Sequence, residues 1–118
     1  FSNNFSYIEN NKNNFKQKKL TSAKLLNLNK HKIDKTFLNW NGKSKLLLNK
    51  DISLEIINKK NINNLHVYTP PKENFFCIEP VTNIGDAFQI KKYSGEYTGL
   101  KNLKKNKKFE SSVEFKLL

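Results

Sequence analysis

The chain contains no arginine and no methionine, and it has one cysteine, one tryptophan, three prolines and four glycines in 118 residues. Each scarcity excludes something. With Cys77 alone, no disulfide closes within the chain and no multi-cysteine metal site forms. Cys77 lies in the apolar run Phe75-Phe76-Cys77-Ile78, so a buried, inert thiol is expected, in keeping with a reducing, cytoplasmic setting. No apolar run is long enough to span a bilayer. The Asn- and Lys-rich N-terminus lacks the apolar stretch of a secretory signal. The 22 basic residues are all lysine and set a net charge of +12. Such a charge attracts anionic partners, yet nucleic-acid readers rely on arginine for bidentate contacts. A nucleic-acid-binding module therefore ranks last, and a solvated lysine surface ranks ahead of it. The hydrophobic fraction, 36%, is low for a self-sufficient core. Together with Phe1 at the first position and no Met, it leads us to expect a further N-terminal portion.

What is present reads as short strands. Residues 1–19 fit either a strand pair with a loop or a frayed end. Leu20 to Leu28 suggests a short helical turn. Leu46, Leu47 and Leu48 precede a turn at Asn49-Lys50-Asp51. Ile52, Leu54 and Ile56 then alternate with Ser53 and Glu55, the period of a half-buried strand. Leu65 to Thr69 is β-rich and stops at Pro70-Pro71, and Phe75 to Ile78 is a further short run closed by Pro80. The cleanest alternation sets Phe109, Ser111, Val113, Phe115 and Leu117 against Glu110, Ser112, Glu114 and Lys116. Lys101 to Lys108 reads as a solvated loop between strands. Many short strands separated by polar turns predict an all-β sandwich or barrel.

The segment from His66 to Leu103 carries the chemistry. Glu79 follows Phe75-Phe76-Cys77-Ile78 and precedes Pro80, which presses Glu79 toward an extended backbone. A carboxylate ending an apolar strand is expected to be partly desolvated, which tunes it toward proton transfer. The residues alone favour the other reading, a strand-end Glu facing water, as most Glu do.

Tyr68-Thr69-Pro70-Pro71, Phe76-Cys77-Ile78-Glu79-Pro80-Val81-Thr82-Asn83 and Asp86-Ala87-Phe88, in this order, resemble the C-terminal signature of the aldose 1-epimerase (galactose mutarotase-like) family. Upstream, Ile33-Asp34-Lys35-Thr36-Phe37-Leu38-Asn39-Trp40-Asn41-Gly42 resembles that family's aspartate segment, with Asn39 where glycine is usual. The likeness covers about Ile33 to Leu118. It narrows the fold to an antiparallel β-sandwich and implies that residues 1–118 are the C-terminal part of one mutarotase-like supersandwich domain, residues 1–30 fitting it least. It further implies an isomerase that interconverts the α and β anomers of a hexose, with no metal and no cofactor. Glu79 would be the catalytic base, Asp34 would contact sugar hydroxyls, and Trp40 would lie near the sugar or in the core. Asp86 is expected to stabilise a turn. The family's acid is a histidine well upstream of the aspartate segment. His31 and His66, the two histidines here, match no such position, so the acid is expected outside this chain. Lys104 to Phe109 also fill the place of a usual Pro-Gly-Glu turn. A non-catalytic carbohydrate-binding β-sandwich is the alternative.

Overall fold

The structure, a computed structural model, describes the backbone of residues 6–11, 14–19, 27–28, 32–93 and 98–118, and the side chains of 27–28, 32–90 and 98–118. The described chain is mostly β, with two antiparallel sheets and one short helix. Strands β1 (Ser6–Asn11), β2 (Asn14–Lys19), β3 (Asp34–Leu38), β4 (Lys43–Leu47), β5 (Ser53–Lys60), β6 (Asn64–Tyr68), β7 (Cys77–Val81) and β8 (Ser112–Leu117) are joined by helix α1 (Ala87–Tyr93), which lies between β7 and β8. The larger sheet is built on β3, β6 and β7 and is continued past β3 by the β1–β2 hairpin, giving the order β2-β1-β3-β6-β7. The smaller sheet runs β4-β5-β8. Residues 1–19, open between two readings from sequence, thus include a strand pair.

Asparagine shapes the turns. Asn49 Oδ1 accepts from the backbone N–H groups of Asp51 and Ile52 at 2.8 and 2.7 Å, closing the β4–β5 hairpin where the sequence places its turn. Asn58 donates from Nδ2 to the Ile62 carbonyl at 2.6 Å, and its backbone N–H reaches the Gly42 carbonyl at 2.7 Å. Asn39 has φ 55°. Asparagine is among the few residues besides glycine that enter this left-handed region readily.

The main core fills the space between the sheets. Phe37, Leu65 and Val67 on β3 and β6 meet Ile56 on β5, with Ile33, Trp40 and Ile62 at the ends. Leu46, Leu54, Ile78 and Val113 pack around them. Burying an Ile such as Ile56, which is 1% exposed, contributes about 1.5–3 kcal/mol. This arrangement is a small β-sandwich. A second cluster lies on the other face of the larger sheet, where Leu38 is covered by Ile84, Ala87 and Ile90.

Two expectations are corrected, and one element is new. Helix α1 is not foreseen by the sequence, which places only a turn at Asp86. Its apolar residues Ala87 and Ile90, spaced i, i+3, give too little periodicity in seven residues to register as a helix from sequence. Strand β7 runs through Pro80 rather than ending before it. It is an edge strand, and there a residue without an N–H is tolerated. Phe75 and Phe76 fall outside β7 and are exposed. Strand β8 starts at Ser112, so Phe109 and Ser111 precede it. The expected helical turn at Leu20–Leu28 lies, except for Asn27 and Leu28, outside the described residues, as does His31.

Candidate functional site

Antiparallel registers decide which side chains share a face. Asp34 stands opposite Tyr68, and Thr36 opposite His66, across β3 and β6. His66 stands opposite Glu79, and Tyr68 opposite Cys77, across β6 and β7. Directly paired residues point to the same side of a sheet, and so do residues two apart along a strand. Asp34, Thr36, His66, Tyr68, Cys77 and Glu79 therefore share one face. Phe37, Leu65, Val67 and Ile78 occupy the other, in the core. The alternation of Asn64, His66 and Tyr68 with Leu65 and Val67 is visible in the sequence. Counting by two along β6 is the signal that assigns His66 to the polar face.

One end of this polar face is roofed and the other is open. At the roofed end Leu38 lies under α1. Beside it Asn64 is fully buried and donates from Nδ2 to the Thr82 carbonyl at 3.0 Å. Asn64 Oδ1 is buried without a hydrogen-bond partner among the described residues. The Thr82–Asn83 turn rests on Gly99, where a Cβ would come within 2.1 Å of the Thr82 carbonyl oxygen. Gly99 has φ 75° as well, so both space and backbone call for glycine. This turn, following directly on Glu79-Pro80-Val81, fixes the end of β7.

One residue pair along, His66 connects two neighbours. Its Nδ1 is 2.9 Å from Thr36 Oγ1, and its Nε2 is 3.4 Å from Asp34 Oδ1. The His66 side chain is 24% exposed, that of Asp34 74%. Glu79 is exposed as well. The expectation of a partly desolvated carboxylate does not hold for the described chain. Glu79 sits on an edge strand with its side chain on the solvent side, while the half-buried Ile78 and Pro80 take the other face. Cys77 is half-buried rather than buried, for the same reason.

Trp40 stands apart. It is 4% exposed, packs in the main core, and donates its indole N–H to Ser44 Oγ at 2.9 Å. It is a core indole with its polar atom satisfied, and it offers no open ring face for stacking against a sugar. Of the two environments left open for Trp40 by the sequence, the core is the one it occupies. Asp86 has φ 53° and its carbonyl accepts the Ile90 N–H at 2.9 Å, so it lies in the turn that opens α1.

Chemically, the shared face holds two carboxylates, an imidazole and the hydroxyls of Thr36 and Tyr68. Such a set can accept hydrogen bonds from several hydroxyl groups at once and can take up a proton. Among the described residues, no group of three or more His, Cys, Asp or Glu side chains is placed to hold a metal ion. No described helix is long and apolar enough to cross a membrane. No protein-family model, no curated protein and no solved structure matches this chain.

Proposed function

We propose that this chain carries the base-bearing face of a hexose mutarotase resembling the aldose 1-epimerases, built on a supersandwich of that family's type. The observation that carries this reading is the placement of Glu79, His66, Thr36 and Asp34 on one face of three adjacent strands. The two segments that resemble the family thus contribute to the same surface although 45 residues of sequence separate their carboxylates.

Mutarotation opens a cyclic hemiacetal. Glu79 takes the proton from the anomeric hydroxyl while an acid delivers one to the ring oxygen. The C1–O5 bond breaks and the aldehyde rotates about C1–C2. On reclosure at the other carbonyl face, Glu79 returns its proton to the carbonyl oxygen and the acid recovers one from the O5 hydroxyl. The anomer is thereby inverted and both groups are restored. The proton count balances, and no metal or organic cofactor takes part. Asp34, beside the His66 ring, accepts hydrogen bonds from sugar hydroxyls. His66 has one nitrogen facing Thr36 and the other facing Asp34, so its role is to position that carboxylate. The acid is assigned to no residue of this chain.

The exposure of Glu79 favours a second reading, a carbohydrate-binding sandwich without catalysis. Polarimetry on freshly dissolved α-hexose separates the two. For a mutarotase, the protein speeds the approach to anomeric equilibrium, and Glu79→Gln abolishes the gain by about a hundredfold or more while the fold persists. Hexose binding with no acceleration of exchange would establish the second reading. Equal rates for Glu79→Gln and the unaltered protein would remove Glu79 from the mechanism.

A further inference from the structure

Strand β8 ends the smaller sheet, and its described partner is β5 alone. Ser53 and Leu118 exchange both backbone hydrogen bonds, at 2.9 and 2.8 Å. Antiparallel alternation then turns the backbone groups of Lys116 and Glu114 toward β5. Those of Leu117, Phe115 and Val113 face the open edge. The register shift in this ladder lies at Asn58–Lys60, past the stretch that pairs with Glu114 to Leu117. Phe115 and Leu117 share the sheet face of Ile56, their cross-strand neighbours being Ile56 and Leu54. Ile56 is buried, but Phe115 is 59% and Leu117 68% exposed. Among the described residues, the apolar face of the smaller sheet thus extends past its cover. An edge without a partner among the described residues, carrying large apolar side chains, is a template for another strand.

The charges on the opposite side of β8 select that strand. Glu114 and Lys116 flank Phe115, and both are exposed. A twofold axis through Glu114 would oppose two carboxylates, and one through Lys116 would oppose two ammonium groups. Both are unfavourable. An axis through Phe115 sets Glu114 opposite the partner's Lys116, twice, and pairs Val113 with the partner's Leu117. In that register the outward backbone groups of Phe115 exchange both hydrogen bonds across the axis. The Glu–Lys pairs then fall at the positions where opposing side chains approach most closely.

We infer that β8 is a self-complementary dimer edge: two copies of this chain join antiparallel about Phe115, making one continuous sheet. The interface is isologous, so each contact occurs twice. Net positive charge on both copies opposes the encounter, and the paired Glu114 and Lys116 offset this at the seam.

Sedimentation of the protein over a range of concentrations tests the pairing. The unaltered protein shifts from monomer to dimer as concentration rises. Glu114→Lys and Lys116→Glu each place like charges opposite one another twice and raise the dissociation constant at least about tenfold, a change of ~1.4 kcal/mol. The double variant restores opposite charges in swapped order and recovers the dimer. Far-UV circular dichroism monitors folding throughout. Phe115→Lys, at a side chain already largely exposed, sets two ammonium groups on the axis and disperses the dimer by a separate route. A protein that stays monomeric at every concentration overturns the inference. So does a dimer whose dissociation constant ignores all these changes.

Discussion

Glu79 faces His66 directly across the β6–β7 ladder, and His66 in turn lies 3.4 Å from Asp34 on β3. Two carboxylates and the imidazole between them therefore occupy three neighbouring strands. If this face receives a hexose, the carboxylate of Asp34 accepts from sugar hydroxyls, and such charge-assisted bonds contribute about 1.5–3 kcal/mol each. Asp34→Ala should weaken hexose binding by about tenfold or more. His66→Ala should weaken it less, by releasing Asp34 from its neighbour. Titration calorimetry reads both. Unchanged affinity in Asp34→Ala would exclude Asp34 from the sugar contacts.

Trp40→Phe separates core from site. The change keeps most of the buried ring but deletes the N–H that Ser44 accepts, leaving a buried hydroxyl without its donor. The expected loss is about 1–3 kcal/mol of unfolding free energy. Hexose affinity, measured well below the unfolding transition, should stay as it was. A folded variant that loses sugar binding selectively would return Trp40 to the site.

Gly99→Ala probes the turn that fixes the end of β7. A Cβ at this position meets the Thr82 carbonyl oxygen at 2.1 Å, and the backbone holds φ 75°. A main-chain atom cannot swing aside as a side chain does, so the turn has to move. Destabilisation of about 2 kcal/mol or more is expected, from backbone strain together with the clash. At Gly85 a Cβ meets nothing within 4 Å, so Gly85→Ala serves as the control with a much smaller change. Denaturant unfolding of the pair checks the contrast, and equal midpoints would contradict it.

Acid should weaken the smaller sheet through Glu114. The Lys59 ammonium, 2.9 Å away, hydrogen-bonds to and attracts the Glu114 carboxylate, holding its pKa below the usual carboxylate range. A carboxyl whose pKa is lower folded than unfolded stabilises the fold above its unfolded pKa, about 4.3. That contribution disappears as pH falls through the folded value. Glu114→Gln should therefore be less stable than the unaltered protein at neutral pH, with the gap narrowing below about pH 4. The pair is exposed and screened, so the gap should be small and should shrink with added salt. Thermal unfolding across this range, at low and high salt, provides the comparison. A gap that widens in acid has the wrong sign.

The strands around Ile56, Leu65 and Val67 were legible in sequence because β alternation is local. A side chain's face follows from counting by two along a strand. The hairpin turn at Asn49 was legible too, since an asparagine side chain bonds to backbone only two and three residues away. The candidate site was legible as two separate segments, one around Asp34 and one around Glu79. That they share a face needed the registers of β3, β6 and β7, which hydrogen bonds between distant strands set.

By itself, the sequence determined the β class, the polar turns, the lysine surface and the residue types available for acid–base work. Only the tertiary structure decided that Trp40 belongs to the core, that Glu79 faces solvent, and that Pro80 lies within an edge strand. It also decided that Phe115 and Leu117 project beyond their cover, although their alternation alone would suit a buried face. Composition and periodicity are properties of neighbours along the chain. Exposure depends on what another sheet, tens of residues away, does or does not place on top.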